Sequence, residues 1–506
     1  MSVFRSCLGW FAFMAMAIDG LNAGLVSTSS AEEAKRPNVI LVLVDDMGWS
    51  DLGCYGGEIQ TPNLDRLASR GLRFSQFYNC AKCETTRATL LSGRYHPEVG
   101  IAKLENCATL AEVMRGAGYQ TWMTGKWHMT KNPLDRGFQR YFGHLSGATN
   151  FFTGDETFRL DREIFEVPKQ GFYTTDANTD YAIQFIRERD EDQPFFLYLA
   201  HNAPHYPLQA PEEDVLKYRG KYAQGWDQLR ERRLEKIKKM DLLPDSVRLS
   251  PRPDDIPNWN ELSEEERDQQ DLVMATYAAM IDRVDANMGR LVQCLQDEGE
   301  FEETMILFLS DNGACPFQRT TQATLEQSLM PWDANSYWTY DQRWANACNT
   351  PFRAYKRNQH EGGIRTAMIA HWPAGIKNPG TITHQPGHIV DMMATLIEVG
   401  EAKYPPENSQ NQPGPLRGDS LVPIFKGETR PDVGTRFFTY YGTHNAVRMG
   451  DYKLVNRDKG AWELYDLARD PAESENLIES QSKVAESLLQ QWKEWTQRVK
   501  VKRRKR

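Results

Sequence analysis

The stretch Asn38-Val-Ile-Leu-Val-Leu-Val44, followed directly by Asp45-Asp46, decides the fold. A nearly continuous apolar run of this length is typical of a strand that is buried on both faces of a parallel sheet. Such a sheet needs helices on each side, so the stretch predicts an α/β protein. Because the run stops at two carboxylates, it also predicts a polar site beyond the carboxyl end of this strand.

Three further apolar runs, over 118–124, Phe195–Ala200 and 304–309, also end in polar clusters. Helical patterns lie between the runs, among them a capping box at Thr109 and Glu112. Strands that alternate with helices predict a parallel sheet whose strand ends meet at one edge. The clusters at these ends are Gly125-Lys126-Trp127-His128, His201-Asn202-Ala203-Pro204-His205 and Ser310-Asp311-Asn312-Gly313.

The composition and the N-terminus indicate an exported, soluble chain of 506 residues with a net charge of -9. Arg5 and the short apolar stretch after it predict a signal peptide over 1–31, hence a periplasmic or extracellular protein. No later segment reaches membrane-spanning length. The acidic balance argues against a nucleic-acid partner, and the basic run 499–506 is typical of a solvated tail.

Two regions depart from the alternating pattern. Residues 212–270 are charged and poor in apolar runs, which indicates an inserted segment that is either a lid over the site or a solvated decoration. Beyond about residue 431, short apolar runs predict a small antiparallel sheet with one amphipathic helix. The predicted division is a catalytic domain over 36–430 and a C-terminal subdomain over 431–506.

Seven cysteines remain once the signal peptide is removed, so at least one is unpaired or chemically special. Cys80 and Cys83 have a Cys-x-x-Cys spacing, which fits a redox pair, half of a zinc site or a disulfide. A second cysteine pair for zinc is missing, and no pairing can be deduced from the sequence. If Cys83 is converted to another group, six cysteines are left that could pair.

The side chains at the strand ends favour a hard cation and an anionic substrate. Asp45, Asp46, Asp311 and Asn312 offer only oxygen ligands, which Ca²⁺ and Mg²⁺ prefer to the nitrogen and sulfur that suit zinc. Lys126 and Lys356 could neutralise an anionic group. His128 and His205 could transfer protons, although a single histidine is more often a surface or hydrogen-bonded core residue.

In combination, these residues resemble the sulfatase family of the alkaline phosphatase superfamily. The resemblance runs from about residue 36 to residue 477 and includes the C-terminal motifs Glu463-Leu464-Tyr465-Asp466-Leu467 and Asp470-Pro471. It implies a large, mixed but mostly parallel sheet sandwiched by helices, with a small C-terminal antiparallel sheet. The other matching motifs are Pro37-Asn38-Val39, Thr61-Pro62-Asn63-Leu64-Asp65, Cys83-x-x-x-Arg87, Leu91-Ser92-Gly93-Arg94, Gly125-Lys126-Trp127-His128, Ala203-Pro204-His205, Ser310-Asp311-Asn312-Gly313, and Lys356 with Glu361-Gly362-Gly363-Ile364-Arg365.

The resemblance implies that a maturation enzyme oxidises Cys83 to formylglycine, whose hydrated gem-diol is the nucleophile. It implies a Ca²⁺ site, with Mg²⁺ as the alternative ion, made by residue 83 and by Asp45, Asp46, Asp311 and Asn312. Arg87 would brace the gem-diol, and Lys126, His205 and Lys356 would bind the sulfate. His205 or Lys356 would protonate the leaving alcohol, and His128 would take the proton that releases sulfate.

One position departs from the family pattern, because Thr85 stands where proline or alanine is usual. The change bears on recognition by the maturation enzyme rather than on the geometry of the site. The expected substrate is a sulfated carbohydrate or aryl compound. Six aromatic residues could stack on sugar rings or could belong to the core: Trp226, Trp259, Trp332, Tyr337, Trp338 and Trp344.

Two other functions fit the same residues. Related folds hydrolyse phosphodiesters or phosphonate monoesters, and extra ligands for a second metal would favour that activity. A catalytically silent protein with an unmodified Cys83 and a glycan-binding cleft is the other alternative. The intact set of Lys126, His128, His205 and Lys356 argues against the silent protein.

Overall fold

A computed structural model describes residues 36–407, 409, 412–430 and 436–499. The described residues from Arg36 onward belong to one compact unit. The predicted signal peptide and residues 500–506 of the basic tail lie outside the described residues. Within the described ranges, no helix combines the length and the apolar character that crossing a membrane requires.

The main sheet contains eleven strands in the described part of the chain, in the order β10-β2-β9-β8-β1-β7-β3-β4-β5-β6, with β11 also paired to β2. The strands are β1 (Asn38–Val44), β2 (Leu72–Tyr78), β3 (Gln120–Gly125), β4 (Arg140–His144), β5 (Phe158–Leu160), β6 (Glu163–Ile164), β7 (Phe195–Ala200), β8 (Thr304–Ser310), β9 (Arg365–His371), β10 (Thr381–Thr383) and β11 (Gly387–His388).

Strand β1 lies at the centre of this sheet, parallel to β7 on one side and to β8 on the other. Its residues alternate between two cores, with Ile40 and Val42 in one and Val39 and Leu41 in the other. Strand β9 runs antiparallel to β8 and β2, so the sheet is mixed although its centre is parallel. The predicted fold class is therefore confirmed.

The helices cover both faces of this sheet and follow the sequence signals closely. The capping box at Thr109 and Glu112 starts its helix, and a second box at Ser263 and Glu266 starts the longest one. The helices are α1 (Pro62–Ser69), α2 (Cys83–Ser92), α3 (Leu110–Gly116), α4 (Thr174–Arg187), α5 (Glu212–Leu216), α6 (Gly225–Lys239), α7 (Glu264–Asp297), α8 (Gln322–Glu326), α9 (Gln342–Cys348), α10 (Glu361–Ile364), α11 (Met392–Val399), α12 (Val422–Phe425) and α13 (Ser482–Arg498).

The segment 212–270 is packed against the main unit rather than being a solvated decoration. Trp226, Leu229 and Ile237 of α6 are buried in the main core. Arg233 of the same helix is 1% exposed and forms ion pairs with Asp51 at 2.7 Å and Glu58 at 2.8 Å. These contacts give the segment a structural role, and its predicted role as a lid stays a prediction.

A second, antiparallel sheet of four strands lies near the C-terminus in the order β12-β13-β14-β15. Trp492 and Trp495 of α13 pack against it in a separate core with Leu454 and Leu464. The small sheet and its helix confirm the predicted elements, while the boundary at 430/431 stays a prediction. The strands are β12 (Arg436–Tyr441), β13 (His444–Met449), β14 (Tyr452–Asn456) and β15 (Glu463–Asp466).

Candidate active site

The parallel strands bring the predicted polar clusters to one edge of the sheet. Val44 of β1 pairs with Ser310 of β8, and Ala200 of β7 pairs with Gly125 of β3, so these strands end almost level. The residues that follow therefore converge, as expected at the carboxyl ends of parallel strands. They are Asp45, Asp46, Lys126, His128, His205, Asp311 and Asn312.

The cluster contains buried oxygens that fit a cation. Carboxylate oxygens of Asp45, Asp46 and Asp311 lie within 4.8 Å of one another. Asp45 Oδ1, Asp46 Oδ2 and Asn312 Oδ1 are buried and have no hydrogen-bond partner among the described residues. Leaving such atoms unsatisfied costs free energy, and an all-oxygen set of this kind suits a hard divalent cation.

Three cationic side chains balance these carboxylates. Lys126 donates to Asp45, and Lys356 donates to Asp46 at 2.5 Å. Arg87 lies 3.1 Å from Asp311 Oδ2 and also donates to the Lys126 carbonyl at 2.8 Å. All of these side chains are at most 3% exposed, so the charges act on one another through protein rather than water.

Burial and neighbouring charges move the pKa values of two carboxyls in opposite directions. For Asp45, burial alone would raise the pKa, but Lys126 and His205 outweigh it and hold the pKa well below its ordinary value. For Asp311, burial reinforced by the charge of Asp45 raises the pKa to about 8. A cation at this cluster would favour the ionised form of both groups.

Cys83 is the first residue of α2, and its side chain lies next to the cluster. Its Sγ falls within 4.8 Å of ligand atoms of Asp45 and His205. The thiol is 3% exposed, and burial raises its pKa to about 11. The helix ends at Gly93 with φ 62, where a Cβ atom would lie 2.5 Å from Met393 Cβ, so only glycine fits.

The two predicted proton-transfer histidines flank Cys83. His128, at φ 56, brings a ring nitrogen within 4.8 Å of Cys83 Sγ, and its Nδ1 has no hydrogen-bond partner in the described part of the chain. Burial, reinforced by Lys126, lowers the pKa of His128 to about 2. His205 donates from Nδ1 to the Tyr206 carbonyl at 2.7 Å, and its Nε2 lies 3.6 Å from Asp46. Burial lowers the pKa of His205 to about 4.

Several residues near the cluster carry no signal in the sequence. The Tyr277 hydroxyl, from α7, lies 3.2 Å from the Asp46 carbonyl and 2.7 Å from Asp51, and so supports the loop after β1. The Tyr198 hydroxyl accepts a hydrogen bond from Arg87 Nη1 at 3.4 Å. Cys315, three residues after Asn312, is another neighbour of the cluster. Burial raises its pKa, and the charge of the nearby Asp46 adds to this effect.

The cysteine alternatives find no support in the geometry. All seven cysteines of the described chain are free. Cys80 is buried and donates to Thr89 rather than bonding to Cys83. Cys80 belongs to none of the groups of possible metal ligands found among the described residues, where Cys83 is grouped with Asp45 and His205 or with Glu84 and His128.

Most of the aromatic residues considered for sugar stacking belong to the core. Trp226, Trp259 and Trp344 pack edge to face on one another, with ring centroids 4.9 to 6.0 Å apart. Trp338 is also buried. Tyr337 and Trp332 are half-buried, and Tyr337 lies 6.2 Å from Tyr206, the residue after His205. Of the six, Tyr337 is therefore the one in contact with a neighbour of the site.

The mixed sheet, with an oxygen-rich cluster beyond its central strands, defines an enzyme of the alkaline-phosphatase-like class. The family model "Sulfatase" matches residues 37–402, and the model "N-sulphoglucosamine sulphohydrolase, C-terminal" matches residues 353–501. The chain belongs to the sulfatase family.

Relatives match over most of their length. An uncharacterized sulfatase of Schizosaccharomyces pombe is 32% identical over 91% of this chain and 93% of its own. An arylsulfatase of Klebsiella aerogenes is 32% identical over 76% of this chain and 90% of its own. A crystal structure of Ps i-CgsB in complex with k-i-k-neocarrahexaose superposes with a TM-score of 0.68 at 25% identity, covering 91% of this chain and 93% of that one.

Proposed function

We propose that this protein hydrolyses sulfate esters of a carbohydrate or aryl compound through a formylglycine made from Cys83. The observation that carries the proposal is the position of Cys83, whose Sγ lies within 4.8 Å of both Asp45 and His205. A nucleophile at this point faces the cation-binding oxygens and the proton-transfer groups together. A relative named arylsulfatase and a solved structure in complex with k-i-k-neocarrahexaose support the two substrate classes.

The residues present fit a divalent cation, and Ca²⁺ is the ion we propose, with Mg²⁺ as the alternative. Asp45, Asp46, Asp311 and Asn312 would hold it together with residue 83. The three unpartnered oxygens of Asp45, Asp46 and Asn312 support this assignment. When bound, the cation offsets the negative charge of the ester and stabilises charge that develops during sulfate transfer.

The first half of the reaction attaches sulfate to residue 83. Lys126, His205 and Lys356 bind the sulfate oxygens, and Arg87 orients the gem-diol. The gem-diol, once formed from Cys83, would supply the hydroxyl that displaces the alcohol from sulfur, and the proton that this hydroxyl loses would balance the one that the leaving alcohol takes up. His205 or Lys356 donates the proton that the leaving alcohol needs.

The second half releases sulfate and restores the aldehyde. His128 would take the proton of the remaining hydroxyl, so that sulfate leaves and the aldehyde of residue 83 is restored. Water then hydrates the aldehyde for the next cycle. The unpartnered Nδ1 of His128 and the proximity of its ring to Cys83 support this role.

Sulfate release by purified protein tests the proposal. The wild type should release sulfate from 4-nitrophenyl sulfate or from a sulfated oligosaccharide, whereas Cys83→Ala should release none and remain folded. Cys294→Ala is the matched control, since Cys294 is also buried and free but lies on α7. Turnover by Cys83→Ala, or a preference for a phosphodiester over every sulfate ester, would contradict the proposal.

The predicted signal peptide supports an exported protein that acts in the periplasm or outside the cell. Maturation would then require an enzyme that oxidises Cys83 in the producing host. Because Thr85 replaces the usual proline or alanine, the chemical state of residue 83 should be measured directly.

A further inference from the structure

Cationic and aromatic side chains alternate in a continuous row beside the candidate active site. Lys82 Nζ lies 5.2 Å from the Tyr441 ring centroid, and Arg357 Cζ lies 5.2 Å from the same centroid. We call this row the cation–aromatic rim. Its members in order are Lys82, Tyr441, Arg357, Phe317, Arg319 and Tyr206.

The rest of the rim continues with the same spacing. The Phe317 ring contacts both arginines: Arg357 Cζ lies 5.2 Å from its centroid, and Arg319 Cζ lies 5.5 Å from it. Arg319 also lies 5.0 Å from the Tyr206 centroid. Each arginine therefore contacts two rings, which restricts the positions its guanidinium can take before any ligand binds.

The rim starts and ends at residues that directly adjoin site residues in the chain. Lys82 precedes Cys83, Arg357 follows Lys356, and Tyr206 follows His205, with the two rings 4.0 Å apart. The backbone N–H of Arg357 donates to the Ala81 carbonyl at 2.7 Å, which joins the two segments that carry Cys83 and Lys356. Because three rim residues directly adjoin Cys83, Lys356 and His205 in the chain, we expect groups next to the scissile sulfate to lie near this row.

The two arginines carry charges that the protein does not compensate. Both are exposed, and neither forms an ion pair or a side-chain hydrogen bond with another described residue. Lys82, in contrast, is paired with Glu84 at 2.5 Å. Guanidinium groups that contact aromatic rings and have no ion-pair partner keep N–H donors free for bidentate contact with a carboxylate or sulfate.

We infer that the rim recognises a second anionic group of the substrate, so that the preferred substrate is a saccharide with more than one sulfate or carboxylate. Arg319 and Arg357 bind the additional anion, and Phe317 and Tyr206 pack against the sugar ring. This inference rests on the proposed function for the identity of the scissile group. A simple aryl sulfate lacks the second anion and gains nothing from the rim.

The ratio of two kcat/KM values tests the inference. The substrates are a hexasaccharide that carries several sulfate esters and 4-nitrophenyl sulfate, each assayed by sulfate release. In the double variant Arg319→Gln/Arg357→Gln, the ratio should fall roughly tenfold or more, mainly through KM, because charge-assisted hydrogen bonds are lost. Added salt should lower the wild-type ratio in the same direction.

Arg115→Gln is the matched control. Arg115 is an exposed arginine near the end of α3, close to the start of β3 and hence at the opposite end of that strand from Lys126. The control should keep the wild-type ratio. An unchanged ratio in the double variant, or an equal fall in the control, would overturn the inference.

A binding experiment separates failure of the inference from failure of the proposed function. Cys83→Ala protein, titrated calorimetrically with the intact hexasaccharide, should bind it roughly tenfold more weakly when both rim arginines are replaced. Equal affinity for the sulfated and the desulfated hexasaccharide would overturn the inference even if the enzyme releases sulfate. Absence of sulfate release with anion-dependent binding retained would instead reject the proposed reaction.

Discussion

Asp46 contributes a side-chain oxygen to the candidate cation site from an unfavourable backbone conformation. It has φ 71, a left-handed conformation that costs a residue with a Cβ roughly 1–2 kcal/mol. Lys356 and Asn312 both donate to its Oδ1, whereas its Oδ2 lies 3.6 Å from His205 Nε2 and has no hydrogen-bond partner among the described residues. The Tyr277 hydroxyl near its carbonyl helps to hold this conformation.

Removal of the cation should lower activity and thermal stability together. A cation that binds only the folded chain adds about 2.7 kcal/mol of stability at a concentration of 100 times its Kd. Calorimetry with Ca²⁺ and with a chelator should therefore show a higher Tm in Ca²⁺, and Asp46→Asn should reduce the difference. Equal Tm values and normal turnover in chelator would contradict the assignment of the oxygen cluster.

Only some of the residues at the site could be predicted from the sequence. Asp45, Asp46, Asp311 and Asn312 were predictable as neighbours because each follows a recognisable buried strand. Tyr277 and the rim residue Tyr441 were not, since each comes from an element remote in the chain. Nothing local to such residues indicates which distant loop they will contact.

Among the elements, helix α2 matters most because Cys83 is its first residue. Thr85 Oγ1 lies 2.8 Å from the Cys80 carbonyl and 2.8 Å from the Lys82 carbonyl, so it fastens the chain that leads into the helix. A proline at this position could not make these contacts. The departure from the family pattern is therefore used structurally in this chain.

Thr85→Ala should destabilise the protein by about 1 kcal/mol because the buried hydroxyl contacts are lost. Thr130→Ala is the control, since Thr130 is exposed and its single hydroxyl contact, to the Ala102 carbonyl, is 3.3 Å long. Its effect should stay within about 0.5 kcal/mol. Calorimetric Tm values that fall equally in both variants would refute this role for Thr85.

The strands also differ in how well the sequence predicts them. Strands β1 and β7 were predicted with their observed bounds, because their residues form uninterrupted apolar runs. Strand β2 was missed, since Arg73 and Gln76 interrupt its run and a register shift between Phe74 and Phe77 breaks the alternation. Strand β9 was missed as well, although all seven of its residues are buried.

On the scale of the whole molecule, a buried charge cluster joins the small sheet to the main one. Lys453 of β14 lies 2.8 Å from Glu361 and 2.8 Å from Glu473. Glu361 also accepts from the Tyr78 hydroxyl at 2.9 Å, at the end of β2. These three ionic side chains are at most 1% exposed, so the cluster links the two sheets through dry protein.

Lys453→Met should destabilise the protein by about 3 kcal/mol or more, because it leaves the buried Glu473 without its ion-pair partner and leaves Glu361 paired with Arg365 alone. Lys103→Met is the control, since the Lys103–Glu105 pair is 64% and 56% exposed and contributes little. Calorimetry should show a clear loss of Tm for the first variant alone. Similar Tm values for both variants would contradict the coupling of the two sheets.

The pH dependence of this loss follows from Glu361. Burial alone would raise its pKa, but Lys453 and Arg365 outweigh it and hold the pKa below the ordinary 4.5. The ionised cluster therefore stabilises the fold above pH 4.5, and this contribution disappears as the pH falls through the lowered value. The Tm difference between the wild type and Lys453→Met should accordingly shrink below about pH 4.5.

The most direct test of the central claim is mass spectrometry of the peptide that contains Cys83, from protein made in its native host. We predict that residue 83 has lost its sulfur and carries an aldehyde or the corresponding hydrate, despite Thr85. An unmodified thiol at residue 83 in protein that nevertheless releases sulfate would contradict it.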